Sequence, residues 1–179
     1  MKKLVLICLV AVSCMAFVAC SSTDTNGGSA NNQNNNQEQN NTSNEVSYIF
    51  TYDGVDVSVN EDISAVLAKL GEPVSYYEAA SCAFEGLDKI YTYASFQIDT
   101  YPSNGADMLA SIYFLDDLVE TPEGITLNMS KQDMIAAYGE PTSIEGTEHI
   151  YEKGNGTLRF IIVNDEIISI EYRTNVDYK

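Results

Sequence analysis

Apolar residues recur along this chain in two rhythms, one of period two and one of period near 3.6. Tyr48-Ile49-Phe50-Thr51-Tyr52 is aromatic and β-branched and predicts a strand, turned by Asp53-Gly54. Val55, Val57 and Val59 alternate with Asp56 and Ser58, the pattern of a half-buried strand. The rhythm then changes. Ile63, Val66, Leu67 and Leu70 fall at i, i+3, i+4 and i+7 and predict a short amphipathic helix. Asn60 or Asp62 can accept its free first-turn amides, and Gly71-Glu72-Pro73 stops it. Beyond it, Tyr76-Tyr77 reads as a strand and Ala79 to Phe84 as a second short helical turn or a loop. Lys89 to Ile98 reads as one strand, extending towards Tyr101, and Pro102-Ser103-Asn104-Gly105 as a turn. Met108 to Phe114 is a further strand.

The same block returns. Gly124-Ile125-Thr126-Leu127-Asn128-Met129-Ser130 leads into a helix over Lys131 to Tyr138, then Gly139-Glu140-Pro141. Ser130 with Asp133 three residues on predicts a capping box, and Met134, Ile135 and Tyr138 form the stripe. Strands follow at His149 to Glu152, Leu158 to Val163 and Ile167 to Tyr172, joined by Gly154-Asn155-Gly156 and Asn164-Asp165-Glu166. Ala110-Ser111-Ile112-Tyr113-Phe114 matches Ile168-Ser169-Ile170-Glu171-Tyr172. Read as an internal repeat, this predicts an α+β fold of two tandem units. Each is a short helix followed by about three antiparallel strands, with the helices packed on the sheet. The expected units are 46–123 and 124–179, together one globular domain.

The order of cap, short helix, Gly-Glu-Pro and strands ending in Ser-Ile-x-Tyr resembles the β-lactamase-inhibitor-protein-like (BLIP-like) superfamily. That group includes small outer-membrane-assembly lipoproteins. The resemblance covers Gly54 to Tyr172 and implies a tandem-repeat bacterial lipoprotein. It carries no functional residue across, and inhibition of a β-lactamase does not follow, because the chain lacks the disulfides and second helix per unit of the inhibitors.

The amino terminus changes the picture most. Met1-Lys2-Lys3 is followed by an apolar run, Leu4 to Val18, short for a membrane span. It ends in Ala19-Cys20, a junction that resembles the lipobox of bacterial lipoproteins, with Phe17 where Leu is usual. Residues 1–19 are expected to be a signal peptide and Cys20 the lipidated first residue, which places the protein on the extracytoplasmic face of the cell membrane. The Asn/Gln/Ser-rich stretch completing 20–45 holds one apolar residue, Ala30, and is expected to be a disordered tether spanning roughly 25–30 Å. Of the four cysteines, Cys8 and Cys14 lie in the leader and Cys20 is spent on lipid. Cys82 is then unpaired and expected to be a small buried side chain.

Charge narrows the partners. Nine basic residues less Lys2 and Lys3, against 26 acidic ones, give the mature chain −19. Such a chain repels phosphate-rich partners, so nucleic acid is excluded, and adhesion to an anionic membrane rests on the lipid. No phosphate loop, Cys-x-x-Cys or His-Glu-x-x-His is present, and no cofactor or metal is implied. Asp116, Asp117, Glu120 and Glu123 lack the spacing of a calcium loop and read as a solvated linker. His149 is the single histidine, and its pairing with Cys82 has no local signature. The tyrosines, 12 against 6 Phe and no Trp, are the suggestive class. Tyr76, Tyr77, Tyr91 and Tyr93 are the candidate binding surface. In one unbroken strand Tyr91 and Tyr93 face one side and Phe96 and Ile98 the other. The expected function is a non-catalytic, surface-tethered module that binds an envelope protein or extracellular ligand. The alternatives are an envelope hydrolase using acidic residues or Cys82, and a purely structural envelope component.

Overall fold

The computed structural model describes residues 46–176. The leader, Cys20 and the tether therefore lie outside the described residues. A hairpin comes first, β1 (Ile49–Tyr52) on β2 (Val55–Ser58), and hydrogen-bonds to no other strand. Helix α1 (Ser64–Leu70) follows, then β3 (Ser75–Ala80), β4 (Leu87–Thr92), β5 (Phe96–Ser103) and β6 (Ala106–Phe114). After a linker come α2 (Lys131–Tyr138), β7 (Ser143–Glu145), β8 (Glu148–Lys153), β9 (Gly156–Val163) and β10 (Glu166–Thr174). Strands β3 to β10 form one antiparallel sheet in the order β3-β4-β5-β6-β10-β9-β8-β7. Two-residue turns set several of the hairpins. Asp53-Gly54, Asn104-Gly105 and Asn164-Asp165 each take positive φ at both positions, which suits tight hairpins and residues able to adopt left-handed angles.

This overturns the expected fold. The described residues are dominated by sheet, with ten strands and two helices of seven and eight residues. They are not two repeats of a helix plus about three strands, but a single eight-stranded antiparallel sheet with two short covering helices and a separate hairpin. Three features account for the difference. The stretch read as one strand from Lys89 to Ile98 breaks at 93–95 and folds back, so it supplies two strands. Tyr76-Tyr77 belongs to a full six-residue strand, and a further strand at Ser143–Glu145 was not expected at all. Finally, β6 pairs directly with β10, through Tyr113 with Glu171 and Ile112 with Tyr172, which makes the sheet continuous.

One face of the sheet is packed. Phe96, Ile98, Ile112, Phe114, Leu158, Phe160, Ile170 and Tyr172 point to it, and the hairpin lays Phe50 and Val57 over them. Phe50 meets Phe96 and Phe114 with ring centroids 5.1 Å apart in each case. The helices add Val66, Leu67 and Leu70 from α1, and Met134, Ile135 and Tyr138 from α2. The two helices start differently. Asp62 Oδ1 accepts from the Ser64 amide at 2.9 Å, whereas Ser130 and Asp133 close a full capping box. Both stop at glycines with φ 77°, Gly71 and Gly139. Each stop is fastened to the packed face by a tyrosine: the Tyr93 hydroxyl donates to the Gly71 carbonyl at 3.2 Å, and that of Tyr151 to the Gly139 carbonyl at 2.8 Å.

Candidate functional site

The other face of the same sheet carries different chemistry. Because directly paired residues share a face, register defines its cross-strand rows. One row runs Ser75, Thr92, Gln97, Tyr113, Glu171, Arg159, Ile150, Ser143 across all eight strands. The next runs Tyr77, Ile90, Asp99, Ser111, Arg173, Thr157, Glu152. Over β4, β5, β6 and β10 these rows line an open cleft of about 270 Å³, with Asp99, Ser111, Tyr113, Glu171 and Arg173 among its walls.

The polar groups of the cleft are unevenly partnered. Asp99 receives neutral donors, the Gln97 amide at 2.8 Å and the Ser111 hydroxyl at 3.4 Å. Burial pushes its carboxyl up from the ordinary value, against these hydrogen bonds. Glu171 is only 8 % exposed, and among the described residues its Oε1 has no hydrogen-bond partner. The Arg173 Nε lies 4.0 Å from that oxygen. Burial raises the Glu171 carboxyl too, opposed by the Tyr113 hydroxyl and the two arginines. Tyr113 is itself pushed up to about 12, by burial first and then by its bond to Glu171. Arg159 is engaged by Glu148 at 3.1 Å, and the Lys89 ammonium by Asp107 at 2.6 Å. None of Asp99, Ser111, Tyr113, Glu171 and Arg173 was singled out from the sequence as a site residue. The available signal was a charge at the polar phase of an apolar alternation, as in Phe96-Gln97-Ile98-Asp99 and Ile170-Glu171-Tyr172.

The four candidate tyrosines separate. Tyr93 is 7 % exposed and its ring stacks on Phe96, so it belongs to the core and not to a binding surface. Tyr91 is half-buried and packs against the core. Tyr91 pairs with Ile98, so Tyr91, Tyr93, Phe96 and Ile98 share the packed face; the division expected from one unbroken strand fails because the chain turns at 93–95. Tyr76 and Tyr77 remain accessible, 48 % and 61 % exposed. They sit on β3, an end strand of the sheet, with the Tyr76 ring 5.1 Å from that of Tyr91 and its hydroxyl donating to Glu78. Val74, just before the strand, is 77 % exposed. Among the described residues no strand pairs with the outer side of β3.

The catalytic candidates come apart. Cys82 is exposed, not buried as expected, in the turn between β3 and β4. His149 is buried on β8, with its Nδ1 3.3 Å from the Thr147 carbonyl. Five strand spacings separate β4 from β8, roughly 24 Å, which is too far for a thiol–imidazole pair. The linker acids are engaged locally: Asp116 accepts from the Leu118 amide at 2.9 Å, Asp117 from Asn128 at 3.4 Å, and Glu123 from the Tyr138 hydroxyl. Among the described residues no three His, Cys, Asp or Glu side chains gather as metal ligands.

No protein-family model matches the chain, and no curated protein does. Among solved structures it is similar to the crystal structure of a cysteine-rich secretory protein from Staphylococcus aureus subsp. aureus Mu50, at 10% identity and a TM-score of 0.46. That similarity covers 65% of this chain and 43% of the other.

Proposed function

We propose that this protein is a non-catalytic binding module, anchored to the extracytoplasmic face of the membrane by a lipid on Cys20. On this reading it takes an extended segment of an envelope protein or extracellular ligand along β3. The observation that carries it is the bare β3 edge. Five of its six residues are exposed and the sixth is half-buried, and two tyrosines stand at its centre. An open strand edge offers a row of amides and carbonyls to an incoming strand, and the alternating side chains then set specificity. Tyrosine supports such contacts because it brings a large surface with only two rotatable bonds to order. The opposite edge strand, β7, has only three residues and offers much less.

The test is capture of partners from the protein's own membranes by wild type and by the double variant Tyr76→Ser, Tyr77→Ser. The expected result is loss of the captured species with the melting temperature kept within a few degrees. Undiminished capture would remove β3 as the contact. The anchoring half of the proposal is read separately. Cys20→Ala should release the chain from the membrane fraction or leave it uncleaved, and unchanged lipid labelling would refute it.

A further inference from the structure

The cleft on the other sheet face is a separate surface, and its imbalance of charge suggests what fills it. Three cations stand near it, and two are already engaged, Lys89 by Asp107 and Arg159 by Glu148. Arg173 is the third. Its side chain is 43% exposed and stands 4.0 Å from Glu171, beyond hydrogen-bond reach. Facing them are Asp88, Asp99 and Glu171. Asp99 is held by neutral donors alone, and a buried oxygen of Glu171 has no donor among the described residues. A carboxylate oxygen left in that state is costly, because it has lost water and gained no hydrogen bond. The group that satisfies the Glu171 oxygen, and adds a charge to the neutral donors of Asp99, is a compact cation with several N–H donors.

We propose that the cleft binds a primary alkylammonium group, held by the carboxylates of Asp99 and Glu171. An ammonium carries three rotatable donors on a point charge, which suits two carboxylates reached from different strands. Asp99 and Glu171 lie two strands and one row apart, roughly 10–12 Å between their backbones, so side chains must lean inward and the ligand must be slender. The walls beside them, Ile90, Ala110 and the Tyr101 ring, accept a methylene chain. Burial holds both carboxyls above their ordinary values, at Glu171 against the opposing charges of Arg173 and Arg159, and a bound ammonium would favour their charged forms. A free aliphatic amine and a lysine side chain present the same group, and the measurement separates them.

Calorimetric titration at low ionic strength, with 1,5-diaminopentane and with N-acetyl-lysine amide as probes, tests the proposal. Binding by the diamine alone identifies a free amine, and binding by both a lysine-bearing chain. Asp99→Asn and Glu171→Gln should each weaken that binding at least fivefold. Failure of both probes to bind, or a smaller loss in either variant, overturns the proposal. Arg173→Gln keeps the test decisive where a carboxylate variant fails to fold, since this exposed side chain is the competing cation. Its removal should tighten binding at least threefold, and no tightening overturns the proposal. Tyr76→Ser, which lies on the packed-face side of β3, should leave amine binding unchanged, so failure of the β3-edge reading and failure of this one are told apart.

Discussion

In β5, β6 and β10, adjacent residues live in different media. Phe96, Ile98, Ile112, Phe114, Ile170 and Tyr172 are buried beneath the hairpin and the helices. Their neighbours Gln97, Asp99, Ser111, Tyr113, Glu171 and Arg173 form the polar rows of the uncovered face. The strand is the same and only the phase differs, so the contrast isolates what a cover does. Burial under the cover is apolar and supplies stability. Burial on the open face comes from crowding by neighbouring strands and leaves carboxylates partly desolvated without a complete set of partners. A covered face specifies the fold, while a crowded but uncovered one keeps chemistry available.

The strongest way to break this contrast is to remove a side chain from each face. Phe50→Ala takes away the ring that meets both Phe96 and Phe114 and should cost about 3–5 kcal/mol, read by denaturant unfolding. Thr92→Ala, on the opposite face of the same sheet, should stay within about 1 kcal/mol. A smaller effect sharpens the tyrosine assignment. Tyr93→Ser loses a stacked ring and a hydrogen bond to the α1 stop, and should cost about 2–4 kcal/mol, whereas Tyr77→Ser should change stability by about 0.5 kcal/mol or less. Equal melting temperatures for those two variants would show that both tyrosines face solvent.

Next comes the end of α2. Gly139→Val puts a β-branched residue at φ 77° and should cost about 1–3 kcal/mol, against little for the exposed Glu140→Ala. The smallest effect is a pH dependence on the open face. Asp99 and Glu171 both have folded-state pKa values raised by burial. The folded state therefore holds protons that the unfolded chain, titrating near about 4, has released. Their contribution to stability falls as pH rises from about 4 through the raised values. The double variant Asp99→Asn, Glu171→Gln should match wild type in melting temperature near pH 4 and gain on it towards pH 7. A gap that stays constant or shrinks would contradict the burial of these carboxyls.

The sequence made central elements legible where patterning and capping agree. The stripe from Ile63 to Leu70, the Ser130–Asp133 box, and the strands at Met108 to Phe114 and Ile167 to Tyr172 were all readable. Edge strands were harder. Ser75–Ala80 buries almost nothing and Ser143–Glu145 is only three residues long, so neither shows a clear alternation of apolar and polar positions. The turn at 93–95 carries no glycine or proline and was read through, which reversed the inferred facing of Phe96 and Ile98 relative to Tyr91. The cleft was illegible because its members come from β4, β5, β6 and β10, and only the β6–β10 pairing assembles them. A single Glu between Ile170 and Tyr172 reads as an ordinary solvent-facing position until its neighbours bury it.

The hairpin β1–β2 also has a mechanical meaning. It holds Phe50 over the core, yet its ladder bonds join only its own two strands. Chain tension applied from the amino-terminal side reaches β1 before any strand of the large sheet. Strands in such a two-stranded ribbon separate one pair at a time, so the hairpin yields ahead of the eight-stranded sheet. Beyond it the Asn60 amide bonds to the Leu109 carbonyl at 2.8 Å and the Leu109 amide to the Glu61 carbonyl at 2.9 Å, a clip where unzipping stalls. A pull from the amino-terminal side would thus uncover Phe96, Phe114 and Tyr172 while leaving the eight strands paired, so that the cover acts as a fuse ahead of the sheet.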